Sequence, residues 1–337
     1  MSKLTQRELA AHLGLSYATV SRVFNGDGRV TEPTRRRVLE EAERLGFRGH
    51  ALARALRLKK SFALGMVGTN THQGYWSNVV AAMERRAREL GYHVIICHRG
   101  RDEGSSEQIR FLLDRQVDAL VLAPHPTAEK PAVLREITEE GTPLLMLNNR
   151  LAGFPAHYLG TDSRTGMRRA CEHLLALGHR RIACAAGPAG EYTAMSRVAG
   201  YREALRSAEV PYVEQWVVSA GWNQAEGEAA GRRLLALSPR PTAVVAANDD
   251  VAIGIYLEAR KAGLRIPEDL SIVGYSGDRT GSLLATPLTT VRQPVDALGR
   301  RATELMLELM GGEHDRLVYE ELEDELVIRA SCSKPAS

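Results

Sequence analysis

The sequence predicts a small helical unit joined to a larger α/β core built on parallel strands. Three observations carry that prediction. Positive charge is gathered at one end: residues 1–60 hold 13 Lys and Arg against 6 Asp and Glu, whereas the rest hold 31 against 35, in a chain of 337 residues and net charge +3. The hydrophobic period changes near residue 61, from helical spacing to short apolar runs. Those runs alternate with amphipathic stretches, the pattern of parallel strands joined by right-handed crossovers. A chain of this length also exceeds one hydrophobic core, so two or three domains are expected.

Residues 5–25, TQRELAAHLGLSYATVSRVFN, read as two short helices around a tight turn. Thr5 caps the first and Glu8 returns the bond, opening an apolar face of Leu9, Ala10 and Leu13. Gly14 ends that helix. Ser16 caps the second, on which Val20, Val23 and Phe24 share one face while Ala18, Ser21 and Arg22 lie opposite, with Tyr17 beside them. Such an outward face suits a helix-turn-helix in a major groove, where Arg22 can pair with a guanine edge. The alternative is a small bundle with a solvated face. Thr31 caps a third helix through Val38, Leu39, Ala42 and Leu45, whose Arg35, Arg36 and Arg37 suit phosphate contact. Residues 48–60 have Ala and Leu at helical spacing over about eight residues, too few to hold a helix alone in water.

From residue 61 the candidate strands are 62–67, 94–97, 119–123, 144–147, 182–186, 217–218, 243–247 and 272–275. Amphipathic stretches 79–90, 108–115, 166–177 and 195–207 lie between them. Ligands bind beyond the carboxyl ends of parallel strands, which directs attention to the residues that follow each run. These are Tyr75 and Trp76, Asn148, Trp222, and Asn248 with Asn248's neighbour Asp249; Arg197 opens a helix after the Gly187-Pro188 loop. Planar hydrogen-bonding groups beside aromatic faces suit a sugar. Each also has a plainer role: Asn248 or Asp249 as helix cap, Trp76 and Trp222 as core, Arg197 in a surface ion pair.

The run from Leu15 through Ser16, Tyr17, Ala18, Thr19, Val20, Ser21, Arg22, Val23 and Phe24 to Asn25 resembles the N-terminal signature of the LacI/GalR family of bacterial transcription regulators. Similarity continues along nearly the whole chain. The resemblance implies a DNA-binding surface of Thr5, Ser16, Tyr17, Ala18, Thr19, Ser21, Arg22 and Asn25, and a hinge helix in which Leu56, beside Ala53, wedges into a minor groove. Where the family has proline and asparagine before that hinge, this chain has Gly49 and His50. The resemblance further implies two doubly wound parallel-sheet subdomains of the periplasmic-binding-protein type, crossed by three linkers near residues 162, 289 and 321. The domains expected are a headpiece at 1–47, a hinge at 48–60, an N-terminal subdomain at 61–161 with 290–320, a C-terminal subdomain at 162–289 with 321–330, and a tail at 331–337. Arg197, in SRVAGY, and Asn248 and Asp249, in AND, match motifs that face the family's effector, and Asp162 matches an acidic position of the cleft. Two departures alter the hydroxyl pattern the site can satisfy: Asn148 stands for an aspartate, and Ser276, in Gly-Tyr-Ser-Gly, for another. Asn149 stands where a purine would need a stacking aromatic.

The function expected is a homodimeric regulator, most simply a repressor, on a pseudo-palindromic double-stranded operator, controlled by a small effector of carbohydrate type. A free sugar-binding module and a corepressor-dependent regulator with a non-sugar effector are the rivals; the basic first 60 residues argue against the former. No Walker loop, His-Glu-x-x-His or Gly-x-Ser-x-Gly is present, since residue 278 is Asp, so no enzyme is expected. Neither cofactor nor metal is called for. Cys97, Cys171, Cys184 and Cys332 lack metal spacing and read as reduced thiols of a cytoplasmic protein. No signal peptide and no apolar run near 20 residues point to export or a membrane.

Overall fold

The computed structural model describes residues 4–24, 29–45, 60–69, 74–100 and 103–336. Asn25, Ala53, Leu56 and the rest of the expected hinge up to residue 59 lie outside the described residues. Two compact units divide the chain, Met1–Phe62 and Ala63–Ser337.

The first unit contains α1 (Gln6–Leu13), α2 (Tyr17–Phe24) and α3 (Glu32–Arg44). The capping box forms: Glu8 N donates to Thr5 Oγ1 at 3.2 Å and Thr5 N to Glu8 Oε2 at 2.7 Å. Gly14 ends α1 at φ 64°, a left-handed conformation that costs glycine little. Thr19 N donates to Ser16 Oγ at 3.1 Å, which starts α2. Leu9, Ala10, Leu13, Val20, Val23, Val38 and Ala42 bury together. Leu39 departs from expectation at 45% exposed, because Val38 and Ala42 define the inner stripe and the next residue lies about 100° around. Arg37, expected on phosphate, donates to the Leu13 carbonyl at 3.1 Å and so closes the end of α1. Glu41 joins α1 to α3, with His12 Nε2 at 2.5 Å and Arg44 NH2 at 2.6 Å; the Arg44 hydrogen bonds, then His12, hold its carboxyl down to about 2.

The second unit holds two six-stranded sheets. The first lobe runs β1 (Ala63–Thr69), α4 (Gly74–Glu89), β2 (His93–Arg99), α5 (Ser106–Asp114), β3 (Ala119–Leu122), α6 (Pro131–Glu139), β4 (Leu144–Leu147) and β5 (His157–Thr161). The second runs α7 (Ser163–Ala176), β6 (Ile182–Ala186), α8 (Tyr192–Ser207), β7 (Val217–Ser219), α9 (Gln224–Leu235), β8 (Ala243–Ala246), α10 (Asp249–Lys261), β9 (Ser271–Ser276), α11 (Arg279–Ser282) and β10 (Thr289–Arg292). The chain then returns to the first lobe for α12 (Val295–Gly311) and β11 (Tyr319–Leu322), and ends in the second with β12 (Glu325–Val327). The strand orders are β11-β5-β4-β3-β1-β2 and β12-β10-β9-β8-β6-β7, the same doubly wound order twice. Among the described strands only β12 is antiparallel to its neighbour. Fully buried strands such as β3, β4 and β8 read as continuous apolar runs, as sheets covered on both faces require.

Three boundaries differ from expectation. Residues 290–292 belong to the second sheet, since Thr290 pairs with Gly274, so the second crossing falls after Arg292. Glu321 and Leu322 belong to the first sheet, opposite Gly160 and Thr161. Residues 331–336 are no loose tail: Ser331 is fully buried, its hydroxyl donates to the Ile272 carbonyl at 2.6 Å, and His179 Nε2 lies 2.9 Å from the Ser333 carbonyl. All four cysteines are free thiols, and burial pushes Cys184 up to about 12 and Cys332 up to about 11. Among the described residues no helix is long and apolar enough to cross a membrane, and no cluster of metal ligands occurs.

Candidate functional site

A cavity of about 580 Å³ opens between the lobes at the carboxyl ends of their strands. The first lobe contributes Gly74, Tyr75 and Trp76 after β1, Arg99 at the end of β2, Ala123 and His125 after β3, and Asn148 and Asn149 after β4. The second contributes Pro188, Glu191, Thr193 and Arg197 after β6, Trp222, Asn223 and Glu226 after β7, Asn248, Asp249 and Asp250 after β8, and Ser276 and Asp278 from the end of β9; Gln293 comes from the second crossing. Nearly every wall residue follows a strand, as the winding of such sheets requires.

On the first-lobe side Asn148 is 6% exposed, at φ 63°. Its Nδ2 donates to the Tyr75 hydroxyl and its Oδ1 has no protein partner. The Tyr75 and Trp76 rings meet edge to face at 5.3 Å, and burial raises the Tyr75 phenol above its usual range. His125 Nδ1 accepts from Thr127 N at 3.3 Å and Ala128 N at 3.1 Å, so the neutral ring carries its proton on Nε2. Behind them Arg99 donates to the carbonyls of Gly100, Glu103 and Ala123.

On the second-lobe side Arg197 is 6% exposed and donates to the Ala247 carbonyl. Its guanidinium lies 3.8 Å from the Tyr275 ring centroid and 5.4 Å from that of Trp222, and its Nε has no hydrogen-bond partner. Trp222 Nε1 donates to Glu191 at 3.1 Å. Asn248 caps α10 through Val251 N at 2.8 Å and donates to the Trp222 carbonyl at 2.7 Å, so it frames the wall as well as lining it. Asp249, 1% exposed, accepts from the Thr290 hydroxyl and the Asp278 amide, each at 2.6 Å. Burial pushes its carboxyl up to about 7 against those hydrogen bonds, and burial likewise raises Asp250. Ser276 sits at φ 107°, strained for a residue with a side chain.

Of the positions expected from sequence, Tyr75, Trp76, Asn148, Arg197, Trp222, Asn248, Asp249 and Ser276 converge on the cavity. Asp162 does not. It is absent from the cavity wall, and its Oδ1 accepts from Thr165 N at 3.0 Å as the cap of α7. Sequence reasoning missed Arg99, His125, Glu191, Thr193, Asn223, Glu226, Asp250 and Asp278, all close to strand ends and so within reach of the same rule. Gln293 follows β10 (Thr289–Arg292), which is not among the strands expected from sequence.

On the headpiece Tyr17 is 52% exposed, Ala18 and Arg22 are exposed, and Ser21 and Thr19 are half-buried. Ser16 and Thr5 are exposed but their hydroxyls are engaged in helix caps. Arg7, not singled out from sequence, places its guanidinium 5.8 Å from the Tyr17 ring centroid and adds charge to that face.

A basic helix-turn-helix ahead of a two-lobed ligand-binding core defines a ligand-responsive DNA-binding regulator. The chain belongs to the lacI family of bacterial regulatory proteins: the model of that family matches residues 5–49, and a periplasmic binding protein-like domain matches 171–332. It is 30% identical over 333 residues to the HTH-type transcriptional repressor PurR of Aliivibrio fischeri, covering 98% of each chain. Among solved structures, the lac repressor dimer bound to operator and the anti-inducer ONPF is 29% identical, with TM-score 0.86 over 98% of this chain and all of that one. The regulator CelR in complex with cellobiose is also 29% identical, with TM-score 0.74 over 97% and 99%. The protein is thus a DNA-binding transcriptional repressor with an effector-binding core, and its relatives are regulators, not enzymes.

Proposed function

We propose that the chain represses transcription as a homodimer on a pseudo-palindromic operator, and that a sugar or sugar derivative in the cleft releases it. The observation that carries the effector reading is the pairing of unsatisfied polar atoms, Asn148 Oδ1 and Arg197 Nε, with the aromatic walls Tyr75, Trp76 and Trp222. A polyol supplies donors and acceptors together, and its C–H faces suit those rings. The cellobiose held by a regulator 29% identical to this chain supports the same class. A flat purine is less well served: Asn149 spends its Nδ2 on Glu191 and its Oδ1 on Thr193.

Tyr17, Ala18 and Arg22 read base edges, while the caps at Thr5 and Ser16 set the helices on the backbone. One headpiece covers about half a site, hence the dimer. Leu56 of the hinge supplies the minor-groove wedge of the operator-bound state, which stands in equilibrium with release. The ligand shifts this equilibrium by its preference for one arrangement of the lobes, typically about 1–3 kcal/mol. The test is a thermal-shift screen with mono- and disaccharides, nucleosides and nucleobases. A saccharide that raises the melting temperature supports the reading; stabilisation by nucleobases alone overturns it, and a saccharide that strengthens operator binding makes the chain corepressor-dependent.

A further inference from the structure

We infer that the first turn of α8 is a latch that holds the two lobes together before any ligand binds, because its helix cap and its aromatic seat are both supplied by the opposite lobe. The first amides of a helix have no partner within it and must find one elsewhere. Glu191, the residue at the cap position of α8, makes no cap bond with its side chain. Asn149 of the first lobe takes that role: its Oδ1 accepts from Thr193 N and from Thr193 Oγ1, both at 3.2 Å. Its Nδ2 donates to Glu191 Oε2 at 3.1 Å, so the exchange runs both ways across the cleft.

The neighbouring pair repeats the arrangement with rings. Tyr192, the first residue of α8, packs on the first-lobe core. Its ring meets Tyr158 edge to face at 5.6 Å and 81°, and the Arg150 guanidinium lies 4.1 Å from its centroid. Its hydroxyl donates to Glu321 Oε1, on β11, at 3.1 Å. Residues 149 and 150 on one lobe therefore grip residues 191–193 on the other, and parting the lobes breaks every one of these contacts at once. Glu191 links the latch to the cavity, since the same carboxylate holds Trp222 Nε1. A ligand that draws Trp222 or Glu191 toward itself acts directly on the latch. Because α8 also carries Arg197, the element that closes the lobes and an arginine of the wall are one rigid helix.

Hydrogen exchange by mass spectrometry on the full chain, without DNA or ligand, tests this. Tyr192→Ala should raise exchange by about fivefold or more, the size of a lost aromatic pair, in two segments on different lobes, 193–196 and 149–154. Tyr192→Phe, which loses only the hydroxyl bond to Glu321, should give a smaller rise in the same two segments. A rise confined to 193–196, or none in either, overturns the latch. Should Tyr192→Ala not fold, Tyr192→Phe read at the same two segments decides. Neither measurement uses operator or effector, so this outcome is independent of the function proposed above.

Discussion

Arg197→Ala probes the cleft at its most constrained side chain. Arg197 is 6% exposed, and its guanidinium donates to the Ala247 carbonyl and packs 3.8 Å from the Tyr275 ring centroid. A hydrogen bond to a charged group is worth about 1.5–3 kcal/mol, and a desolvated cation–π contact about 2 kcal/mol. Relief of the unpartnered Nε offsets part of that, leaving a net loss of about 2–3 kcal/mol. For a unit of this size each kcal/mol moves Tm by about 2–4 °C, so the ligand-free variant should melt about 4–12 °C lower. A ligand that pairs with the guanidinium loses about 2–5 kcal/mol, a weakening of about 30-fold or more. Operator affinity without ligand should stay within about threefold, because Arg197 belongs to the core and not to the basic headpiece. Thermal melts and titration of labelled operator with and without the saccharide give all three quantities. A variant with wild-type Tm and an unchanged half-effective ligand concentration refutes the reasoning.

Arg22→Ala should weaken operator binding by about 1–3 kcal/mol and relax preference at one base pair; equal losses on operator and random duplex in anisotropy titrations would rule out base reading by Arg22. Burial raises the folded carboxyl of Asp249 from 3.8 to about 7 and that of Asp324, which is buried beside the Tyr275 and Thr161 hydroxyls, to about 6, so the folded state holds these protons more tightly and stability should fall as pH rises from about 4 to about 7, then level off. Urea midpoints across that window should decline less steeply for Asp249→Asn, and parallel profiles would contradict the assignment. Asn148→Asp replaces an amide by an acceptor-only group against the Tyr75 hydroxyl, so the order of saccharides in thermal shift should change while operator affinity without ligand does not; an unchanged order would remove Asn148 from ligand selection.

The headpiece was legible because its signals are local: the Thr5 and Glu8 capping box, Gly14 and the stripe of Leu9, Leu13, Val20 and Val23 each act within a few residues. The apolar runs at 144–147 and 182–186 were equally plain, since strands covered on both faces cannot alternate. The strands β5, β10, β11 and β12 were not found. They sit beside crossings and carry residues such as Glu320 and Thr289 whose burial is set by partners distant in sequence. The same cause misplaced two crossings, because membership of a sheet depends on pairing and not on local composition. Asp162 shows the limit for single side chains: a carboxylate at a strand end faces either a ligand or the helix it precedes, and rotamer choice lies beyond local pattern. Asn149 is the converse, a residue read as a missing aromatic that instead caps a helix of the other lobe.

The central claim is that a ligand in the cleft controls a DNA-binding surface on a separate unit. The most direct measurement is the affinity of the full chain for a duplex that it has itself selected from a random library, at fixed salt, with and without a saturating saccharide chosen by thermal shift. Affinity should fall about 5- to 150-fold with the saccharide, the usual span of coupling between sites, and Arg197→Ala should blunt the response at the same concentration. An affinity that the bound saccharide leaves unchanged would contradict the account.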